Sequence, residues 1–272
     1  MIPFQVFNER PSELPKARLQ DVFFGENVNE GLQQAPRNKA IVADDGSLYS
    51  LTTTNYNLIT HDELLDSVES VLAKHPEFGQ YSTQIKLSLD GARLVAEYTF
   101  DNIEHTIANG DNINPSVRVS GSYDLGWMQR MDFGAFRLLC SNGLIVGDLL
   151  ASYHRRHTNS LSIDAMKSIL SEGMGNYSNQ VELWRSWVDT VLEKSRDEIQ
   201  DDIRELGFTK KQSEEILDNE PEVGEETTIT DKLRTQDPLT KWFVYNVVCQ
   251  YLSHRVENMD RMARVYEKLQ QW

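Results

Sequence analysis

The period of the apolar residues changes near residue 160, and that change limits the fold more than any other feature of the 272-residue chain. Up to that point the apolar runs are short and alternate with polar residues, the repeat of half-buried strands. Beyond it they recur three or four apart, the repeat of amphipathic helices. The pattern predicts an α+β protein: antiparallel hairpins plus a helix in a β-rich N-terminal half, then a helical C-terminal half with two long antiparallel helices. The expected organisation is an extended N-terminal arm over 1–40, an α+β core with an antiparallel sheet over 41–160, and a helical region over 161–272 containing an acidic loop over 213–228.

Local signals supply the detail. Four of the eight prolines fall in the first forty residues, which read as an irregular lead-in. Ala40–Ala43 and Leu48–Thr53 read as strands around the turn Asp44-Asp45-Gly46-Ser47. Thr60 followed by Glu63 is a capping box for a helix carrying Leu64, Leu65, Val68, Val71 and Leu72, which His75-Pro76 ends. Gln84–Phe100 reads as a hairpin turned by Asp90-Gly91 in type I′ geometry, and a second strand pair is expected over Ser116–Tyr123 and Asp132–Cys140. Ile163, Met166 and Ile169-Leu170 mark a short helix, and Tyr177 through Ile203 one long helix closed by Gly207. Thr209 and Gln212 cap a further short helix. Asp237-Pro238 opens the last helix, whose apolar stripe is Leu239, Phe243, Val247, Tyr251, Val256, Met259, Met262, Val265 and Leu269. Of Trp184 and Trp187, one is expected in the core and the other at a partner surface.

Composition excludes several classes. Apolar residues make up 39% and charged residues 25%, enough for a core. No apolar run is long enough for a membrane span, and the start MIPFQVFNERPSELPKARLQ lacks the pattern of a signal peptide. Cys140 and Cys249 are too few for a disulfide framework or a paired-cysteine zinc site, and both read as reduced core residues, which suits a cytoplasmic location. The net charge of −15, spread over both halves, repels nucleic acid at long range. One stretch reverses the sign. Residues 116–160 carry Arg118, Arg130, Arg137, Arg155 and Arg156 against Asp124, Asp132 and Asp148.

That stretch holds the residues with the most chemistry. His154-Arg155-Arg156-His157 has the donors to clamp phosphates, although an exposed basic turn leading into the helical half is the simpler account of it. On a helix, His154 and His157 would share a face, but no glutamate lies between them in a metalloprotease pattern, and no metal or cofactor is expected. Tyr123, Trp127 and Phe133 interleave with Arg118, Arg130 and Arg137, the mixture of stacking faces and cations that single-stranded nucleic acid needs; half-buried aromatics of an edge hairpin would give the same pattern. Arg137 followed by the turn Asn142-Gly143 reads either as a core strand with its turn or as a binding-face arginine beside a ligand-accepting turn. There is no phosphate-binding glycine loop, dinucleotide fingerprint, nucleophile elbow or Cys-x-x-Cys.

Arg137-Leu138-Leu139-Cys140-Ser141-Asn142-Gly143, followed by Arg156-His157-Thr158, resembles the landmarks of the DUF932 family of phage- and plasmid-like proteins. Tyr49, Thr53, Tyr56 and Ile59, leading into the Asp62–Lys74 helix, are similar to that family's N-terminal region, and Ser120-Gly121-Ser122-Tyr123-Asp124 to its strand-turn, with Leu125-Gly126 a departure. The resemblance covers residues 40–200 and implies a cytosolic protein of mobile-element genomes, encoded near replication and recombination genes. The expected function is therefore single-stranded DNA binding, with annealing or recombination activity and a homo-oligomeric ring or filament. The binding residues would be Arg118, Tyr123, Trp127, Arg130, Arg137, Asn142, His154, Arg155, Arg156 and His157. The alternative is an acidic, non-enzymatic protein that binds or inhibits a host defence or replication factor, or partners another phage protein. A nuclease would need converging carboxylates around a metal, which no local pattern supplies.

Overall fold

A computed structural model describes residues 3–25, 31–103, 105–108, 111–138, 145–218, 239–255, 265 and 268–269; residues 108, 111–112, 135–138, 145–149, 218, 250 and 253–255 are described by backbone alone. The chain is mixed α+β, with strands concentrated before residue 156 and helices mostly after it. It divides into two compact units. The first comprises Met1–Ile103, Ser116–Phe133 and Leu150–Gly175, and the second Glu104–Pro115, Gly134–Leu149 and Asn176–Trp272. Among the described residues, no helix is long and apolar enough to cross a membrane.

The larger sheet is built from β1 (Phe4–Phe7), β5 (Ser82–Ser88), β6 (Arg93–Thr99), β8 (Asp111–Ser122), β9 (Gln129–Leu138) and β10 (Ile145–Arg155), in the order β1-β5-β6-β8-β9-β10, with β7 (His105–Ala108) pairing β8. The smaller sheet has the order β2-β3-β4, from Arg18–Phe24, Gln33–Val42 and Leu48–Thr53. The lead-in expected to be irregular thus supplies three strands. β1 pairs antiparallel with β5, and β2 with β3. Its prolines stand outside the strands, apart from Pro36, which the bulged β3 tolerates.

In the first unit, α1 (His61–Leu72) starts as expected: Thr60 Oγ1 accepts from Glu63 N at 3.2 Å and Glu63 Oε2 accepts from Thr60 N at 2.8 Å. Leu64, Leu65, Val68, Val71 and Leu72 are buried, as are Ile85, Leu87, Leu94, Ala96, Tyr98, Val117, Val119, Met131 and Phe133 on one face of the sheet. The β5–β6 hairpin is not a type I′ turn. Leu87 pairs with Leu94, Gly91 N donates to Ser88 O, and Gly91 alone has positive φ (+71°). Asp90 stays at negative φ because its carboxylate accepts from Ala92 N and Ser88 Oγ, an Asx-type bond that substitutes for the primed geometry.

The first part of α2 (Ile163–Asp189) lies against the buried face of the sheet. Gly173 permits this: a Cβ there would come within 2.6 Å of Ala151 Cβ and 3.2 Å of Phe133. The short helix and the long helix expected separately are one element, and it stops at Asp189 rather than running to Ile203. Val191, on the expected stripe, is 46% exposed. It sits in an isolated bridge with Thr240, where Leu192 N donates to Leu239 O and Lys241 N to Thr190 O. Ser195 then caps a new helix, α3 (Arg196–Glu205), with Glu198 completing a capping box and Gly207 (φ +107°) following its end.

In the second unit, α4 (Lys210–Asp218) begins with the Thr209/Gln212 pair, and α5 (Lys241–Arg255) is the central helix. Trp242 through Cys249, Tyr251 and Leu252 are all buried, so over these residues α5 is covered on every side rather than amphipathic. Trp184 packs on Trp242 and Trp187 on Tyr245, with Lys241 Nζ 4.4 Å from the Trp187 ring centre. Both tryptophans are buried, so neither is a partner surface. Cys249 is buried and forms no disulfide with a described residue. Cys140, most of the acidic loop 213–228, Asp237-Pro238 and most of the stripe beyond Tyr251 lie outside the described residues.

Candidate nucleic-acid interface

The period-2 alternation of the larger sheet sends one set of side chains to the core and the other to an open face. Register fixes that face. Lys86 pairs with Val95, which pairs with Ser120; Gln84 pairs with Glu97, which pairs with Arg118. On β9 and β10, Phe133 and Ala151 meet Gly173, so Arg130, Asp132, Ser152 and His154 point the other way. The open face of the first unit therefore carries Lys86, Arg93, Glu97, Arg118, Arg130, Asp132, Ser152 and His154. Arg118 and Ser152 are exposed, and most of the others half-buried.

The cations on this face are in different states. Arg93 Nε donates to Asp124 Oδ2 at 2.6 Å, and its guanidinium lies 4.9 Å from the Trp127 ring centre. Gly126 has no Cβ to obstruct that guanidinium, which would come within 2.4 Å of one. Lys86 and Arg118 make no ion pair with any described residue; Glu97 lies across the strand from Arg118 without closing one.

Arg130 belongs to a compact cluster. Its Nε donates to Asp132 Oδ2, while Asp132 Oδ1 accepts from Ser152 Oγ at 2.9 Å and from His154 Nε2 at 3.0 Å. The Asp132 side chain is only 3% exposed. Burial alone would raise its pKa, but the hydrogen bond from His154 and the charge of Arg130 outweigh burial and hold the carboxyl below its ordinary value. Ser152 Oγ and His154 Nε2 are 3.2 Å apart and both turn to the same carboxylate oxygen, so the three do not form a relay in which the imidazole bridges serine and aspartate.

The remaining expected residues separate. Tyr123 is 1% exposed; its hydroxyl accepts from His61 N at 2.6 Å and donates to Pro15 O at 3.2 Å, and its ring stacks on His61 at 4.0 Å. Phe133 is buried under α2 and against Phe78. Trp127 has Phe4 stacked at 6.1 Å as well as Arg93. These three rings were expected to offer stacking faces; the core and the Arg93 contact have taken them.

β10 runs through His154 and Arg155, so the tetrad is neither a helix nor wholly a turn, and its histidines diverge. His157 is buried, stacks on Tyr56 at 5.0 Å and shares a hydrogen bond with Asn57 O; burial lowers its pKa. Arg155 is exposed beside the Tyr153 ring, and Arg156 is exposed. Of Arg137 only the backbone, in β9, is described, and Asn142 lies outside the described residues. Sequence reading missed Asp132, Ser152, Lys86 and Arg93. The available signal was parity: Arg130 and Asp132, like Ser152 and His154, are two apart and share a strand face.

A family model described as a domain of unknown function, DUF932, matches residues 49–270, extending through the C-terminal helices that the residue-level resemblance left out. A comparison with curated proteins and one with solved structures each found no match.

Proposed function

The chain belongs to the DUF932 family, and on that premise we propose that it binds single-stranded DNA along the open face of its larger sheet, as a phage- or plasmid-encoded protein of DNA annealing or recombination. The observation that carries this reading is the placement of Lys86, Arg118 and Arg130 on one solvated sheet face of a chain whose net charge is −15, with Arg155 and Arg156 exposed at the end of β10. Cations held on a face without carboxylates to neutralise all of them attract phosphates, and a flexible single strand can follow such a face more easily than a rigid duplex. With Tyr123 and Phe133 in the core and Trp127 engaged by Phe4 and Arg93, the contact is to the backbone. Binding is then salt-sensitive and nearly indifferent to base sequence. A ring or filament of several copies suits an annealing role.

The test is fluorescence anisotropy with a labelled oligonucleotide at two salt concentrations, for the native chain and the Arg118→Ala/Arg130→Ala variant. Salt-dependent binding that the variant loses supports the proposal; no binding at low salt refutes it. The second reading, an acidic partner of a basic host or phage protein, draws on the exposed acids Asp197, Glu198, Asp201 and Glu205 of α3. It predicts a co-purifying protein in place of DNA.

A further inference from the structure

We infer that the open face contains one built phosphodiester seat, formed by the outer edge of Arg130, with buried Asp132 as its positioning residue. The inference rests on the nucleic-acid reading above and assigns the point at which the backbone is fixed.

The geometry separates Arg130 from the other cations of the face. A guanidinium has two hydrogen-bonding edges. Asp132 engages Nε, and neither terminal nitrogen of Arg130 bonds to another described residue. The planar fork is thereby turned so that its Nη edge is the part left to a ligand, and that edge matches two oxygens of a phosphate. Arg118, by contrast, is exposed and has no ion-pair partner among the described residues to orient it.

Burying a carboxylate is costly, and an apolar residue of similar size could fill a strand position. What an ionised group contributes here is direction. Oδ2 fixes Arg130, while Oδ1 fixes Ser152 and His154 on the neighbouring strand. Because His154 uses Nε2 toward Asp132, its Nδ1 is the ring nitrogen left over, at the rim of the same cluster. The carboxylate charge is balanced by Arg130, so the cluster does not repel an incoming phosphate as an exposed aspartate would. A carboxylate ligand has the same two-oxygen edge. The phosphodiester is favoured because Lys86 and Arg118 extend the positive field along the face, as a repeating polyanion requires and a single carboxylate does not.

The experiment has two arms. In the first, single-stranded oligonucleotide affinity is measured for the native chain, Asp132→Asn, Arg130→Lys, the double variant and Arg118→Ala, with a thermal melt to show that each is folded. Asp132→Asn and Arg130→Lys should each weaken binding about tenfold although neither removes a cation, and the double variant should be no weaker than either single one. Arg118→Ala should add its loss independently to that of Asp132→Asn. In the second arm, dimethyl phosphate is titrated against the Arg130 side-chain nitrogens and the His154 ring by NMR. Shifts are expected in the native chain and not in Asp132→Asn. If the oligonucleotide fails to bind but dimethyl phosphate shifts Arg130, the seat stands and the DNA reading falls. If the oligonucleotide binds and Asp132→Asn, folded, binds as the native chain does, the inference is overturned and the DNA reading survives. Additive losses in the double variant also overturn it.

Discussion

Acidification should unfold this protein earlier than its carboxylates alone would require, because of one buried histidine. His61 is 1% exposed at the start of α1, with its ring stacked on Tyr123 at 4.0 Å and its Nε2 hydrogen-bonded to Gly91 O at 3.1 Å. Burial pushes its pKa down from 6.5 to about 4, against the opposing pull of Gly91 O and Asp62. The folded state therefore holds the ring neutral over a range where the unfolded chain protonates it. The stabilisation is complete above the unfolded pKa and is lost as pH falls toward 4. That drop corresponds to roughly 3 kcal/mol, most of which is gone by about pH 4.5. Urea unfolding of the native chain and of His61→Gln, which keeps a donor for Gly91 O, should be compared from about pH 7.5 to about pH 4.5. The stability difference between them should shrink by about 2 kcal/mol or more across that range. His157, also lowered, titrates in both proteins and cancels in the comparison. Parallel pH profiles would refute the assignment of this linkage to His61.

Further outcomes test the packing. Tyr123→Phe keeps the ring but strands His61 N and Pro15 O, and should cost about 1–3 kcal/mol in urea unfolding while leaving DNA affinity unchanged; a loss of affinity in the folded variant would return Tyr123 to the interface. Gly173→Ala should destabilise by about 1–3 kcal/mol although alanine favours helix, because its Cβ would meet Ala151. Ala151→Gly in the same chain should recover much of that loss, and a stabilising single variant would contradict the close approach of α2. Arg10 bonds Asp62, Asp66 and Glu69 on one side of α1. Arg10→Ala should lower thermal stability modestly at low salt and less at high salt, and a salt-independent loss would argue against the ion-pair network.

What the sequence determined by itself was whatever depends on near neighbours in the chain. The change of period near residue 160 gave the α+β class. Thr60/Glu63 and Thr209/Gln212 gave helix starts, because a cap is a bond between residues three apart. Leu48–Thr53 was legible as a strand and Gly46 (φ +85°) as a turn residue for the same reason. Tertiary structure decided the rest. The lead-in became strands because β5 offered an edge to β1 and β4 one to β3, on which β2 pairs in turn, and no local pattern encodes those partners. The long helix broke at Thr190 because its backbone found Lys241, fifty-one positions on. Most clearly, an aromatic residue reads the same whether its face is free or filled. Tyr123, Phe133 and Trp127 were taken by His61, α2, Phe4 and Arg93, whereas Arg130 was left with one edge open because Asp132 holds the other. Charge and alternation along a strand are properties of sequence; which faces of those side chains remain available depends on contacts that only folding brings together.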